Sequence, residues 1–417
     1  MKNITTLKLS SAFLALMPIA QAGEEPTTTV PAPAADISSF IKFSGDIRTR
    51  YEFRETDPLD ASHALTARAR IGLTLGKPTG FSAFVEGEGT QGIVEDYRSN
   101  PTGSQTTRPY KVGHSVIADP NNVELNRAYL QYADNGFALK AGRQRIIRNS
   151  AAFIGNVGWR QNEQTFDAVS LGYKKDSFAT SYVYSDRVQR IFGDDANDAP
   201  PGPPLHDFEG DFHLFDISSD TNFGKAGGYA YLLDVENNGN VGESNSFGAF
   251  FESSGFYGEF AYQDGTSNLA GGDYTALYGH LKYTTDALGG SGTLGVEYLG
   301  DHFKTPFATV HAYNGFADAF VLQRIGLNTG PGGNYNGLTD IYLGYTKKGL
   351  PGGLVFKGFL HYFMDGKMDN TYGYEADAVL VKKFNDDLTG VFKAAYFSGE
   401  DFYQDIKQVS LQLDYKF

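Results

Sequence analysis

From Phe40 to the last residue the chain reads as segments of about ten residues in which apolar and polar side chains alternate, separated by clusters of Gly, Asp, Asn or Pro. In residues 42–54, Phe43, Ile47, Tyr51 and Phe53 share one parity, and Lys42, Ser44, Asp46, Arg48, Arg50, Glu52 and Arg54 share the other. In residues 64–75, Leu65, Ala67, Ala69, Ile71, Leu73 and Leu75 oppose Thr66, Arg68, Arg70 and Thr74. The last segment sets Val409, Leu411, Leu413, Tyr415 and Phe417 against Gln408, Ser410, Gln412, Asp414 and Lys416. A period of two puts alternate residues on opposite faces of a strand, so one face meets water and the other an apolar medium.

Eighteen such segments are predicted, the first over 40–54 and the last over 406–417, with sixteen as the alternative count. Short connections such as Asn135-Gly136 and Ser254-Gly255 suit tight hairpins on one rim. Long ones, 95–121, 192–209 and 304–337, suit loops at the other rim that reach outward or fold into a lumen. A soluble sandwich also alternates, but these strands are long for one. Aromatics cluster near strand ends (Tyr173, Tyr283, Tyr345, Phe384, Tyr415, Phe417), as interfacial girdles require. The expected fold is all-β: a transmembrane antiparallel barrel of about eighteen strands over residues 39–417. An even strand count puts both ends of the barrel on the periplasmic side.

The N-terminus is read as a targeting segment. Lys2 and Lys8 precede an apolar run from Ala12 to Ile19, and Ala20-Gln21-Ala22 supplies a small-x-small cleavage pattern. Residues 1–22 are therefore assigned to a signal peptide and 23–38, rich in Pro, Thr and Ala, to a flexible periplasmic leader. Mean hydropathy is −0.33 although the chain holds 50 glycines and 14% aromatics. That combination suits a barrel whose strands face lipid on one side and a wet lumen on the other. The net charge of −14 argues against nucleic acid as a partner. No cysteine occurs, so disulfides and thiolate chemistry are excluded.

Candidate chemistry lies first in the arginines. Fourteen fall between Arg48 and Arg190, and only Arg324 lies beyond. Arg48, Arg50, Arg68 and Arg70 occupy the water-facing parity of adjacent strands. Planar guanidinium forks bind carboxylates bidentately and stay charged, so such a row would draw anionic solutes through a pore. The other reading has each arginine paired with Asp46, Glu52, Glu86 or Glu88 and simply bracing the wall. Both readings stay open. A second constellation runs from Gly142-Arg143-Gln144-Arg145 to Gly158-Trp159-Arg160-Gln161-Asn162-Glu163. Phe137, Leu139 and Ala141 would carry Arg143 and Arg145 toward lipid, so either Gly142 is a bulge that resets the face or both lie beyond the hydrocarbon band. The third, residues 305–318, is too rich in aromatic and small residues for a solvated loop and is expected inside the lumen, with His311, Asn314 and Asp318 as hydrogen-bonding groups.

GRQR at 142–145, WRQNEQTFDAV at 159–169, TPFATVHAYNGFADAF at 305–320 and GLTDIYLGY at 337–345 resemble the alginate export family of outer-membrane barrels. The resemblance implies an eighteen-stranded barrel with an arginine-rich lumen for polyanionic uronate polymers. It makes Arg143, Arg145, Arg160, Asn314 and Asp318 lumen candidates; Phe316 departs from the family's frequent Trp. The functional expectation is an outer-membrane porin for anionic organic solutes, uronate oligo- or polysaccharides such as alginate included. The alternatives are a general or otherwise specific porin, or an outer-membrane enzyme such as a phospholipase. Expected partners are outer-membrane lipid, the barrel-assembly machinery through Phe417, and the solute itself. No cofactor is expected. Asp194, Asp195 and Asp198 form a weak calcium candidate that lacks the spaced pattern of a calcium loop.

Overall fold

A computed structural model describes residues 40–101, 107–196, 205–330, 333 and 335–417. The signal-peptide and leader assignments, 1–22 and 23–38, lie outside the described residues. The barrel begins with β1 (Ile41–Thr56), β2 (Ser62–Gly76), β3 (Gly80–Asp96), β4 (Asn122–Asp134), β5 (Phe137–Gln144) and β6 (Thr165–Lys175). It continues through β7 (Phe178–Gln189), β8 (Asp207–Thr221), β9 (Gly224–Val235), β10 (Glu243–Ser253), β11 (Phe256–Ser267) and β12 (Gly272–Ala287). It ends with β13 (Gly290–Leu299), β14 (Leu338–Leu350), β15 (Leu354–Met364), β16 (Thr371–Lys383), β17 (Leu388–Gly399) and β18 (Ile406–Lys416). Each strand pairs antiparallel with its sequence neighbours, and β1 pairs with β18 to close one 18-stranded sheet. A closed barrel leaves no strand edge unpaired, which is what a sheet in lipid needs.

The alternation read from the sequence sorts as expected. Ile47, Ile71, Leu130, Val169, Ile217, Phe260, Leu281, Leu343 and Leu413 are exposed on the outside. Their opposite-parity neighbours, Arg48, Arg70, Glu259, His280 and Asp414 among them, are buried inside. The exposed apolar residues form a band that only a lipid phase stabilises. At the rim with the short turns the band ends in Phe81, Phe137, Tyr173, Phe178, Phe223, Phe256 and Tyr283, and toward the loop rim in Tyr184, Tyr262, Tyr374 and Tyr396. These are the two aromatic girdles.

Turn chemistry sets the hairpins. Asn135 and Gly136 take φ of 46° and 86°, and Ser254 and Gly255 take 46° and 86°. Two successive positive φ values give the turn whose twist matches the flanking strands, and Gly meets that need without strain.

The seam between β1 and β18 is finished by the C-terminal residue. Gly45 N–H donates to the Phe417 carbonyl at 2.9 Å, and Phe417 N–H donates to the Gly45 carbonyl at 3.0 Å. The Phe417 ring lies over Gly45, where a Cβ would come within 2.3 Å of it. Deleting Phe417 removes both hydrogen bonds, at about 1 kcal/mol each. The urea midpoint for loss of the heat-modifiable band on gels should fall accordingly; an unchanged midpoint would remove Phe417 from closure.

Candidate functional site in the lumen

The wall of the lumen is built by register. Arg48 on β1 lies directly opposite Arg68 on β2, and Asp46 lies opposite Arg70. Adjacent strands therefore bring Arg48, Arg50, Arg68 and Arg70 into one guanidinium field. All four are at most 4% exposed. Arg48 donates to Asp414 at 2.7 Å, Arg50 to Asp119 at 2.6 Å, Arg68 to Asp46 and Arg70 to Glu88. Of the two readings left open by the sequence, the structure thus displays the paired one at every member of the row. Arg127 adds a bidentate pair to Glu86, with both contacts at 2.9 Å.

Three segments from the loop rim close over this wall. Residues 145–164 cross it with backbone carbonyls: Arg48 donates to the carbonyls of Gly158, Trp159 and Arg160 at 3.0–3.2 Å, and Arg70 to that of Gln161 at 3.2 Å. Arg145 forks onto Glu163 at 2.6 and 2.7 Å. Arg160 joins Glu52 at 3.1 Å to Asp318 at 3.0 Å. Asp119 arrives from the segment between β3 and β4. Burial alone would raise its pKa, but Arg50 and Arg160 more than offset this and hold it below the usual carboxylate range.

The third segment, between β13 and β14, carries the predicted 305–318 stretch into the lumen. Asn314 and Gly315 take φ of 57° and 83°, the left-handed turn that Asn and Gly accept most readily. The turn places Asn314 Nδ2 2.8 Å from Glu297 and the Ala317 N–H 2.7 Å from Glu375. His311 stacks on Trp159 at 4.6 Å and on Phe316 at 5.5 Å. Burial pushes His311 down to about 3, so the ring is neutral. Its Nδ1 is 2.8 Å from Asp318 and its Nε2 2.5 Å from Lys393 Nζ. The network consistent with a neutral ring has Nδ1–H donating to Asp318 and Nε2 accepting from the Lys393 ammonium. Lys393 Nζ also sits 3.5 Å from the Trp159 ring centre and 4.1 Å from that of Phe316. Farther along, Arg324 in the short helix α1 (Val321–Arg324) binds Glu297 at 3.0 Å, Asn314, Thr305 at 3.2 Å and the Ala152 carbonyl at 3.3 Å.

Residues 40–199 match the family model described as alginate export. Solved structures extend the comparison to the whole barrel. OpdK of Pseudomonas aeruginosa, solved with vanillate, is 13% identical at a TM-score of 0.62, covering 90% of this chain and 98% of its own. OccK9 (OpdG) of Pseudomonas aeruginosa is 13% identical with a TM-score of 0.65 over 90% and 98% of the two chains. OccAB4 of Acinetobacter baumannii is 12% identical with a TM-score of 0.63 over 91% and 98%. No curated relative matches the chain. The fold, with its outward apolar band and girdles, is that of a porin-type barrel of the Gram-negative outer membrane.

One expected lumen residue sits elsewhere. The register of β5 with β4 and β6 runs through Gly142 without a shift, so Gly142 is not a bulge and the parity of Phe137, Leu139 and Ala141 continues. Arg143 consequently stands on the outer face near the loop rim, where it pairs bidentately with Asp167 at 2.7 and 2.9 Å. Arg145 lies one residue past the strand end, free of the parity, and turns inward to Glu163. The ion selectivity of Arg143→Ala, measured in planar bilayers, should therefore equal that of wild type. A shift would return Arg143 to the conduction path. For the calcium candidate, Asp194 is exposed, while Asp198 and the Asp195 side chain lie outside what is described. Among the described residues no group of three or more His, Asp or Glu is placed to hold a metal ion.

Several lumen groups were not singled out from the sequence. Lys393 was legible in retrospect, since it shares the parity of Val391, Ala395 and Phe397, all buried. Asp119, Glu163, Glu297 and Arg324 carried no local pairing signal, because their partners lie well away along the chain, 18 positions off for Glu163 and Arg145, 27 for Glu297 and Arg324 and 69 for Asp119 and Arg50.

Proposed function

We propose that this barrel is a channel for anionic organic solutes, with uronate-type oligo- or polysaccharides such as alginate inside that class. The observation that carries the reading is the register that sets Arg48 against Arg68 and brings Arg50 and Arg70 beside them on the lumen wall of an eighteen-stranded barrel. Two of the carboxylates held there, Asp119 on Arg50 at 2.6 Å and Glu163 near Arg70 at 3.6 Å, come from the inward segments and not from the wall. They occupy the positions a solute carboxylate would take. A solute entering as the segments withdraw exchanges one carboxylate for another, which keeps each buried guanidinium neutralised throughout. The family match over residues 40–199 and a similar barrel solved with vanillate, itself a carboxylate, support an anionic solute.

The same reading makes outer-membrane lipid the partner of the outward band and the assembly machinery the partner of the Phe417 strand. It makes the protein a channel and not an enzyme. His280 Nε2 is hydrogen-bonded to Tyr342, His311 to Asp318 and Lys393, and His361 Nδ1 to Asp340, so each of these rings is held by a structural partner. Liposome swelling tests the proposal: glucuronate should enter reconstituted vesicles several-fold faster than glucose. Equal rates would mark a general porin, and hydrolysis of labelled phospholipid would mark an enzyme.

A further inference from the structure

A cavity of about 260 Å³ lies at the loop-rim end of the lumen, lined by all three inward segments, the end of β1 and the start of the β7–β8 connection, which brings Arg190, Ile191 and Phe192. Its walls are mainly apolar, with Val157, Phe192, Val310, Leu322, Ile325 and Leu327 among them. Arg160, committed to Glu52 and Asp318, lines it together with two further arginines, Arg54 and Arg190. These differ from the arginines of the ladder below. Among the described residues neither has a carboxylate within ion-pair distance, and Arg190 Nη1 is buried without any hydrogen-bond partner. Arg54 donates to the neutral amide of Gln408 at 2.6 Å. Arg190 is only 6% exposed and is held by ring faces, 4.3 Å from the centre of Phe208 and 5.4 Å from that of Phe192. Asp207, whose field reaches Arg190, is itself paired with Arg187 at 3.2 Å and His206 at 3.0 Å. The carboxylate in the cavity wall, Asp318, is committed to Arg160 and His311.

Buried charges in proteins are paired, and a buried guanidinium with an unused donor in the wall of an apolar cavity has the chemistry of an anion site. We propose that this cavity binds a small amphipathic monocarboxylate, its carboxylate on Arg190 and Arg54 and its apolar body against the wall formed by Phe192, Leu322 and Ile325. The proposal deepens the channel reading by naming the class of anion that the rim selects. The volume decides size. At about 30 Å³ per water in the liquid, the cavity holds the equivalent of roughly nine waters, the scale of one aromatic or short aliphatic acid. The wall decides polarity. A uronate ring carries hydroxyls around its rim, and against valine, leucine and isoleucine these would be stripped of water with nothing in return. A benzene ring or alkyl chain gains from the same burial.

The chain supplies its own reporter. Trp159 is its single tryptophan, and it stacks on His311, which lines the cavity. The full-length protein in detergent micelles is titrated at neutral pH with benzoate, benzamide and galacturonate, read by Trp159 fluorescence and by calorimetry. Benzoate should bind saturably, with benzamide and galacturonate at least tenfold weaker. Arg190→Gln should weaken benzoate at least tenfold while Arg190→Lys recovers part of the loss. Ala308→Leu, which fills the cavity and keeps both charges, should abolish binding and serves if Arg190→Gln fails to give a heat-modifiable barrel. Galacturonate binding as tightly as benzoate, benzoate binding untouched by Arg190→Gln or by Ala308→Leu, or no saturable heat at all would overturn the site. A barrel that conducts anions without binding benzoate loses the site and keeps the channel reading. One that binds benzoate but never conducts loses the channel reading and keeps the site.

Discussion

Replacing Arg48, Arg50, Arg68 and Arg70 together by Gln is expected to make the pore cation-selective. The four sit on neighbouring strands in one field and are at most 4% exposed. Their removal leaves Asp46, Glu88, Asp119 and Asp414 facing the lumen with their principal cations gone, and Glu52 with Arg160 as its remaining cation. Two responses are open to those carboxylates. They can stay ionised, in which case the lumen wall becomes a cation site, or the segments carrying Asp119 and Glu163 can swing out, in which case a wider pore is lined by Asp46, Glu52 and Glu88. Both responses disfavour anions, so the sign of the change does not depend on which prevails. The reversal potential under a KCl gradient in planar bilayers should shift toward potassium by roughly a tenfold change in permeability ratio, about 1.4 kcal/mol in relative barrier height. Unchanged selectivity would remove these four residues from the conduction path.

The second large effect is expected at Arg324. Its guanidinium is 1% exposed and holds the segment between β13 and β14 to the wall through Glu297 and to the 145–164 segment through the Ala152 carbonyl, while Asn314, Thr305 and the Tyr313 ring, its centre 4.9 Å from Cζ, brace the segment internally. Removing one partner of a buried ion pair costs about 3–5 kcal/mol, because the other charge is left buried and uncompensated. Here that cost falls on the segment and not on the barrel, whose eighteen strands keep their ladder. Arg324→Met should therefore raise single-channel conductance several-fold and open residues 304–330 to protease, while the heat-modifiable band persists. Adding Glu297→Leu removes the stranded carboxylate as well, so the double variant should recover much of the protease resistance. If Arg324→Met alone stays closed and resistant, the aromatic packing of Phe320 against Phe363, Phe397 and Tyr403 is the stronger anchor.

The barrel itself was legible residue by residue. A period of two is local information: each strand states which of its side chains face water, whatever strand lies beside it. The water-facing parity of Arg48, Arg50, Arg68 and Arg70, the strand positions from 40–54 to 406–417 and the girdle aromatics follow from that rule and from turn chemistry, and the inward placement of 305–318 from its wealth of aromatic and small residues. Arg143 marks the limit of the rule. Its own parity already pointed outward, and its charge was the reason to suppose a bulge at Gly142. The structure keeps the parity and neutralises the charge across the strand pair with Asp167, which a single-strand reading cannot supply.

Pairing is where sequence information ran out. Which carboxylate answers which arginine depends on register between strands and on how far loops reach, and neither is encoded in any one segment. Asp119 meets Arg50 across 69 positions and Asp318 meets Arg160 across 158. Whether the lumen row stood free for solute or braced the wall was undecidable from composition, since arginine and carboxylate numbers permit both. Only the folded chain, by bringing three loop segments over the wall, shows the row neutralised and leaves Arg54 and Arg190 without a carboxylate partner among the described residues. Alternation along the chain determined the barrel and its two faces, because period and turn are local properties of the backbone. The distribution of charge partners inside it was decided by tertiary contacts alone, because Coulomb pairing acts through space and takes no account of position along the chain.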